Sequence, residues 1–288
     1  MNTFLKFGAM LLLLFVCNSS NAQNALDFDG VNDKVDCGND TSLQISGTRL
    51  TIEAWIYPTV WGKNVYDNNI VNKEDNSSNY GFMFRCGAGG KLNMGFGNGS
   101  WNEVTSTNVV LSLNTWQHVA GTYDGVKMRL YVNGKPVDSF ATTASITNAS
   151  TTNLLLGANL TYGRYYQGMM DEVRIWNIAL DSAAINANMN RELCVRPKNL
   201  KLYYKFNQGK AASNNPSVKK VNDLSLYRNH GTVTNFNLNG SSSNWLRGQT
   251  YLKDAVYKND TVSACARWVS PSKRFTWIKS GVYLDTLP

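Results

Sequence analysis

Two dipeptides about nine residues apart, Asp124-Gly125 and Asn133-Gly134, constrain this chain more than anything else in it. Asp-Gly and Asn-Gly tolerate the positive φ of tight hairpin turns. Alternating apolar and polar residues flank both turns: 115–123 before the first, 127–132 between them, and Lys135-Pro136-Val137 after the second. Alternation with period two is the mark of a half-buried strand. Three such strands joined by two tight turns make an antiparallel meander. Upstream, residues 50–57 place Leu50, Ile52, Ala54 and Ile56 on one face and Thr51, Glu53, Trp55 and Tyr57 on the other, and Pro58 stops the run. Shorter strands are expected at 25–30, 34–38, 70–73, 81–86, 91–96 and 154–157, with Trp101 at a loop tip. Val173 and Ile175 alternate with Arg174 and Trp176 in a late strand with Asp171 and Glu172 at its mouth. Asp181 then reads as the N-cap of a helix from 182 to about 190, with Ile185 and Met189 one turn apart. About ten short strands and one late helix, with no βαβ alternation, specify an all-β, antiparallel two-sheet sandwich.

The 288 residues, 43% apolar and 17% charged, suffice for a sizeable core. Residues 1–22 read as a secretory signal: Lys6, then the apolar run 10–16, then Ser20-Asn21-Ala22 before a cleavage point. Cys17 offers a lipoprotein signal as the alternative, against which stands the bulk of Val16. The first apolar run is too short to span a bilayer and no later one does, so a secreted or cell-surface location is expected. After residue 22 the charge is uneven. Residues 23–195 hold 12 Lys and Arg against 16 Asp and Glu, and residues 196–288 hold 15 against 4. The basic half is either a solvated face or a contact for an anionic surface polymer, and no nucleic-acid partner is expected. Cys37, Cys86, Cys194 and Cys265 remain after cleavage, and an even count permits two disulfides in three connectivities. We expect Cys37 with Cys86, with buried free thiols as the alternative.

Five motifs then occur in a telling order: Phe28-Asp29-Gly30, the run 50–56, Thr115-Trp116-Gln117-His118-Val119-Ala120, Leu130-Tyr131-Val132-Asn133-Gly134, and Asp171-Glu172-Val173-Arg174-Ile175-Trp176. This series resembles the laminin-G-like, concanavalin A-like jelly-roll domains found in secreted surface proteins of Bacteroidetes-type bacteria. The resemblance implies a jelly-roll domain over 23–195. Residues 196–248 look like a strand-and-turn extension packing on it, and 249–288 like the start of a small β repeat, with further domains in a longer precursor. It also implies a structural calcium ion (Ca2+) held by Asp29, the Gly30 carbonyl and Asp171. The competing reading has Asp29 capping its own turn and Asp171 pairing with a backbone N–H or with Arg174.

Catalysis is poorly supported by the residues. Glycoside hydrolysis needs two carboxylates across the scissile bond. The Glu-x-Asp-x-x-Glu run of jelly-roll glucanases is missing, and adjacent Asp171 and Glu172 would point to opposite faces of a strand. Glu53 and His118 read as packed strand residues, and no catalytic residue is assigned. Binding is better supported. The loops present Trp61, Tyr66, Trp101, Tyr162, Tyr165 and Tyr166, with Asn64, Asn68, Asn69, Asn98 and Asn102 close by. Aromatic faces and planar amides suit sugars, although aromatics also fill gaps under long loops. The expected ligand site is Trp61, Tyr66, Trp101, Tyr165 and Tyr166, and the expected partner a glycan or surface glycoprotein. The alternatives are a glycoside hydrolase or its non-catalytic arm, and a structural adhesin or spacer repeat.

Overall fold

The computed structural model describes residues 23–193 and 196–249, together with the backbone of 268–269 and 276–277. The expected signal peptide, Cys194 and Cys265 lie outside the described residues. The chain divides into two units, with the boundary after Thr250.

In chain order the strands of the first unit are β1 (Asn24–Asp29), β2 (Lys34–Asp36), β3 (Leu50–Pro58), β4 (Asn68–Asp75), β5 (Tyr80–Gly87), β6 (Lys91–Asn98), β7 (Trp101–Thr105), β8 (Gln117–Tyr123), β9 (Lys127–Val132), β10 (Lys135–Ala141), β11 (Leu155–Leu156), β12 (Ala158–Asn159), β13 (Arg164–Tyr165), β14 (Gln167–Trp176), β15 (Leu200–Tyr204), β16 (Lys220–Val221), β17 (Gly231–Thr234) and β18 (Trp245–Arg247). Among the described residues the one α-helix is α1 (Ser182–Met189). The first sheet runs β10-β9-β8-β3-β14-β1-β18, with β15 also on β14. The second runs β16-β17-β2-β11-β4-β5-β6-β7. In the second unit, β19 (Trp268–Val269) pairs antiparallel with β20 (Thr276–Trp277).

The meander forms where the two turns place it. The Asp124 carboxylate accepts from the backbone N–H of Val126 and Lys127, and Asn133 and Gly134 both hold positive φ, +49° and +73°, as a primed turn requires. Leu50, Ile52, Ala54 and Ile56 of β3 all face the core and are fully buried. They belong to one apolar cluster with Phe82, Phe84, Leu92, Met94 and Phe96 of the opposite sheet. The rings of Phe96 and Tyr123 meet across the sandwich at 4.6 Å. Each of the buried Leu, Ile, Phe and Met side chains contributes about 1.5–3 kcal/mol through the water it sheds.

Strand β14 changes partner midway. Its first half pairs with β1, its second half with β15, and it pairs with β3 on both sides of a bulge between Asp171 and Arg174. Residues 196–248 pair directly with the strands before them. They add β15 and β18 to the first sheet and β16 and β17 to the second, and Trp245 of β18 is fully buried.

Two sequence expectations are corrected here. Trp101 is the first residue of β7, opposite Gly97, because Asn98-Gly99-Ser100 makes a tight turn that leaves no loop tip for it. Cys37 and Cys86 are both free and buried. Cys37 follows β2 and Cys86 lies in β5, with β11 and β4 between them. Three strand spacings amount to about 14 Å, and a disulfide tolerates no more than about 7 Å between Cα atoms.

Candidate functional site

Three loops meet at one end of the sandwich: the β1–β2 turn, the loop between β3 and β4, and the β12–β13 hairpin. Between them lies a pocket of about 500 Å³, lined by Gly30, Val60, Gly62, Asn64, Asp67, Asn68, residues 162–165 and Gln167. Each wall has a local cause. Gly30 ends β1 with φ +78°, and a Cβ there would stand 2.8 Å from Gln167 Cβ, so only glycine fits the turn against that side chain. The Asn68 side chain pins the long loop from within: its Oδ1 accepts from Gly62 N–H at 2.9 Å and its Nδ2 donates to the Val60 carbonyl at 2.9 Å. Asn69 Nδ2 holds the Tyr66 carbonyl in the same way. These two amides, expected as ligand contacts, are spent on the loop itself. Asp67 closes the loop by accepting from Asn64 N–H at 2.8 Å.

The hairpin is tied to the second sheet. Asn159 Nδ2 donates to Glu74 Oε2 at 2.6 Å, and the Asn159 Oδ1 accepts from Tyr162 N–H. Glu74 also accepts from Asn72 and from Arg85 Nη1, and Arg85 Nη2 donates to Glu103 at 3.0 Å. Burial pushes the Glu74 carboxyl up, and the Arg85 guanidinium opposes that shift. From this anchored base an alternating stack climbs to the pocket. The Arg85 guanidinium lies 5.1 Å from the Tyr66 ring centre, Arg164 lies 5.2 Å from the same ring, and Arg164 lies 4.5 Å from the Tyr162 ring. A cation over an aromatic face is worth about 0.5–1 kcal/mol at exposed sites.

The expected ligand residues scatter. Tyr165 lines the pocket and Tyr66 stands beside it through the stack. Trp61 is partly buried against the core and fills a gap under its loop. Trp101 lies on the outer surface of β7, away from the pocket. Tyr166 is fully buried, edge-on to Phe28, because strand alternation turns it inward next to outward Tyr165. Its removal from the ligand set is a correction. Sequence reading noted Tyr162, Asn64 and Asn68 but missed Asp67, Arg164 and Gln167, single polar residues in loops that carry no periodic signal.

The expected calcium ligands are not brought together. Asp29 pairs with Gln167 across the β1–β14 ladder, so Asp171 lies four residues further along, roughly 13 Å by strand geometry. Asp29 Oδ1 caps its own turn by accepting from Val31 and Asn32 N–H. Asp171 is buried, accepts from Glu172 N–H through Oδ1, and its carboxyl is pushed well up by burial. One ion cannot be shared by these residues, and no group of three or more His, Cys, Asp or Glu arranged for a metal occurs among the described residues.

The acidic strand instead builds a closed cluster beneath α1. Arg174 donates to Glu172, to the Asn188 carbonyl at 2.9 Å and to the Arg191 carbonyl at 2.7 Å, and its guanidinium lies 4.9 Å from the Tyr203 ring. Glu53 accepts from Trp176 Nε1 at 3.1 Å and has Arg174 at 3.5 Å and His118 at 3.7 Å. Trp55 Nε1 donates to the Met189 carbonyl at the helix end. Burial pushes the Glu53 and Glu172 carboxyls up and holds His118 down at about 3, so its imidazole is neutral. Glu53, His118, Glu172 and Arg174 are each no more than 2% exposed, which leaves a ligand no approach.

Comparison with known proteins agrees with this architecture. The family model described as the concanavalin A-like lectin/glucanases superfamily matches residues 29–186. No curated protein matches the sequence. Among solved structures, a chain from Bacteroides ovatus described as a candidate carbohydrate-binding protein superposes with a TM-score of 0.59 at 23% identity, over 74% of this chain and 58% of that one. This chain thus spans little more than half of that relative's length. A heptameric pentraxin from Limulus polyphemus gives 0.41 at 16% identity, covering 58% and 82% of the two chains. Domain 4 of an extracellular arabinanase from Geobacillus stearothermophilus, solved with arabinotriose, gives 0.42 at 18%, covering 51% and 68%. At 23% identity, the first of these likenesses concerns the fold alone.

Proposed function

The chain belongs to the concanavalin A-like lectin/glucanase superfamily, and from that premise we propose that it is a secreted or cell-surface module that binds glycan in the loop-end pocket. The observation that carries this reading is the pocket's lining. Tyr162 and Tyr165 offer ring faces for the C–H surface of a sugar, and Asn64, Asp67, Arg164 and Gln167 supply donors and acceptors for its hydroxyls. A few polar groups in a concave, partly apolar site is the usual form of a small-ligand pocket. The lining also favours binding over cleavage. Among the described residues it carries one carboxylate, Asp67, which is already engaged with Asn64 N–H. Hydrolysis of a glycosidic bond calls for two carboxylates on opposite sides of it. The signal-like leader and the fold's surface-protein resemblance support an extracellular setting.

The test is affinity electrophoresis of the full chain through gels holding soluble plant, bacterial and animal polysaccharides in turn. At least one should retard the protein, and the double substitution Tyr162→Ala with Tyr165→Ala should restore free migration without lowering the thermal midpoint by more than a few degrees. Trp101→Ala, away from the pocket, should leave the retardation in place. Retardation that survives the tyrosine double substitution, or none in any gel, overturns the assignment.

A further inference from the structure

We propose that Arg164 is a carboxylate receptor, so that the sugar residue seated in the pocket is an acidic one. This rests on the reading of the pocket as a glycan site and narrows it to a substrate class. Three observations converge on the guanidinium. It lines the pocket from the β12–β13 hairpin, a short element held to the second sheet through Asn159 and Glu74. It is flanked by two rings, with Tyr66 at 5.2 Å and Tyr162 at 4.5 Å from the guanidinium carbon. Its donors make no hydrogen bond: the guanidinium is ion-paired with Asp67, whose Oδ1 at 3.6 Å from Nε is beyond hydrogen-bonding distance, and Nη1 and Nη2 have no hydrogen-bond partner among the described residues.

Stacking fixes the plane of an arginine without consuming an N–H group, because the rings meet its faces and the donors lie in its edge. The edge left over is the planar fork that matches two carboxylate oxygens at once. The two buried arginines behave differently in the same molecule. Arg85 spends its edge on Glu74, Glu103 and Asn93, and Arg174 on Glu172 and two backbone carbonyls. A neutral sugar hydroxyl needs one donor, which the Asn64 and Gln167 amides already provide. An oriented, unspent fork at the wall of a pocket is the fitting for an anion. Asp67 beside it sets the strength: its charge competes with the ligand's, so binding is modest and weakens with salt.

The experiment uses two probe pairs, each differing only in whether the carboxylates are free: trigalacturonic acid against its methyl ester, and sialyllactose against its methyl ester. Both are titrated calorimetrically into the full chain at low and high salt. The pairs separate a hexuronate from a sialic-acid-type source of the carboxylate. The acidic member of one pair should bind about tenfold tighter than its neutral partner, the strength expected of a charge-assisted bidentate contact. The preference should shrink at high salt. Arg164→Gln should bring the acidic member down to the level of the neutral one, and Arg164→Lys, a point charge without the fork, should recover only part of the difference. Unchanged thermal midpoints for both variants exclude unfolding as the cause. Equal binding within both pairs, or a preference that persists in Arg164→Gln, overturns the inference and leaves the glycan reading standing. Failure of all four probes also overturns it, and the polysaccharide gels then decide the glycan reading separately.

Discussion

Beneath α1, Arg174 binds Glu172, faces Glu53 and stacks on Tyr203, while on the opposite sheet Arg85 binds Glu74 and Glu103 and stacks on Tyr66. The two clusters use the same residue types in nearly the same arrangement. They differ in what lies above them. The helix and the residues that follow it close the first, and its backbone carbonyls at Asn188 and Arg191 become part of the cluster. Among the described residues of the first unit, no helix covers the second. Glu103 keeps 30% of its side chain exposed, Tyr66 is 38% exposed, and the stack continues through Arg164 to Tyr162, which is 54% exposed. Identical chemistry is thus a fastener where a helix seals it and a receptor where the chain leaves it open. The prominent acidic motif of the sequence marks the fastener.

The largest effect should come from breaking the sealed cluster. Arg174→Ala leaves Glu53 and Glu172 buried with their cation gone, and removing one partner of a buried charge group costs about 3–5 kcal/mol. Urea unfolding should show a lower midpoint with little change in slope. A loss below about 1 kcal/mol would mean that the lid opens and that the contrast between the two faces is false. The equivalent Arg85→Ala should cost less, about 1–3 kcal/mol, because Glu103 can turn to water while only Glu74 is stranded.

The sealed side was the more legible of the two in the sequence. Asp181 caps α1 as expected, accepting from Ala184 N–H at 2.7 Å, and β3 alternates as its residues dictate. Both signals are local and periodic. That Glu53 and Arg174 meet was not legible, because it depends on the register that sets Arg174 opposite Glu53 past a bulge where Glu172 takes φ +50°. On the open side, the tyrosines near residues 162–166 stood out by composition. Which of them points outward depended on where β13 begins, a matter of one residue that buries Tyr166 and frees Tyr165. Cysteine count carried no register at all, so the pairing of Cys37 with Cys86 had no geometric basis.

The two ends should also answer pH with opposite signs. Next to the pocket's Gly30, the Asp27 and Asp33 carboxyls are both pushed up to about 6, mainly by burial, with Asp29 adding repulsion and Ser243 hydrogen bonds opposing it. A folded-state value above the unfolded 3.8 means that the native protein holds protons the unfolded chain has released between about pH 4 and 6. Their contribution therefore favours folding at the acid side of that window and is lost as pH rises through it. His118 in the sealed cluster does the reverse. Its value falls from 6.5 to about 3, so its contribution is present above 6.5 and is lost as pH falls. The two overlap in the wild type, and a difference isolates them. Asp33→Asn keeps an acceptor for Asp29 N–H without the charge. Its stability relative to wild type should climb from pH 4 to pH 7, measured by urea unfolding at each pH. A flat difference would place the buried charge elsewhere.

The smallest effect on stability is the sharpest test of the contrast. Tyr66→Leu removes the ring shared by Arg85 and Arg164 but keeps an apolar side chain on a partly exposed loop. Two exposed cation–π contacts amount to about 1–2 kcal/mol at most, and solvent recovers part of that. The thermal midpoint should barely move, because Arg85 retains Glu74 and Glu103. Arg164 keeps only the exposed Tyr162 ring at 4.5 Å and the Asp67 ion pair at 3.6 Å. Its guanidinium should therefore loosen and lose part of the orientation on which a two-pronged contact depends. The acidic probe should weaken several-fold while its neutral partner changes little. The same exchange in the sealed cluster, Tyr203→Leu, should act the other way. It leaves Glu172 without the Tyr203 hydroxyl at 2.6 Å and lowers stability, with no effect on any ligand. If Tyr66→Leu destabilises the fold as much as Tyr203→Leu, the open stack is a fastener too, and the pocket's arginine loses its claim to be a receptor.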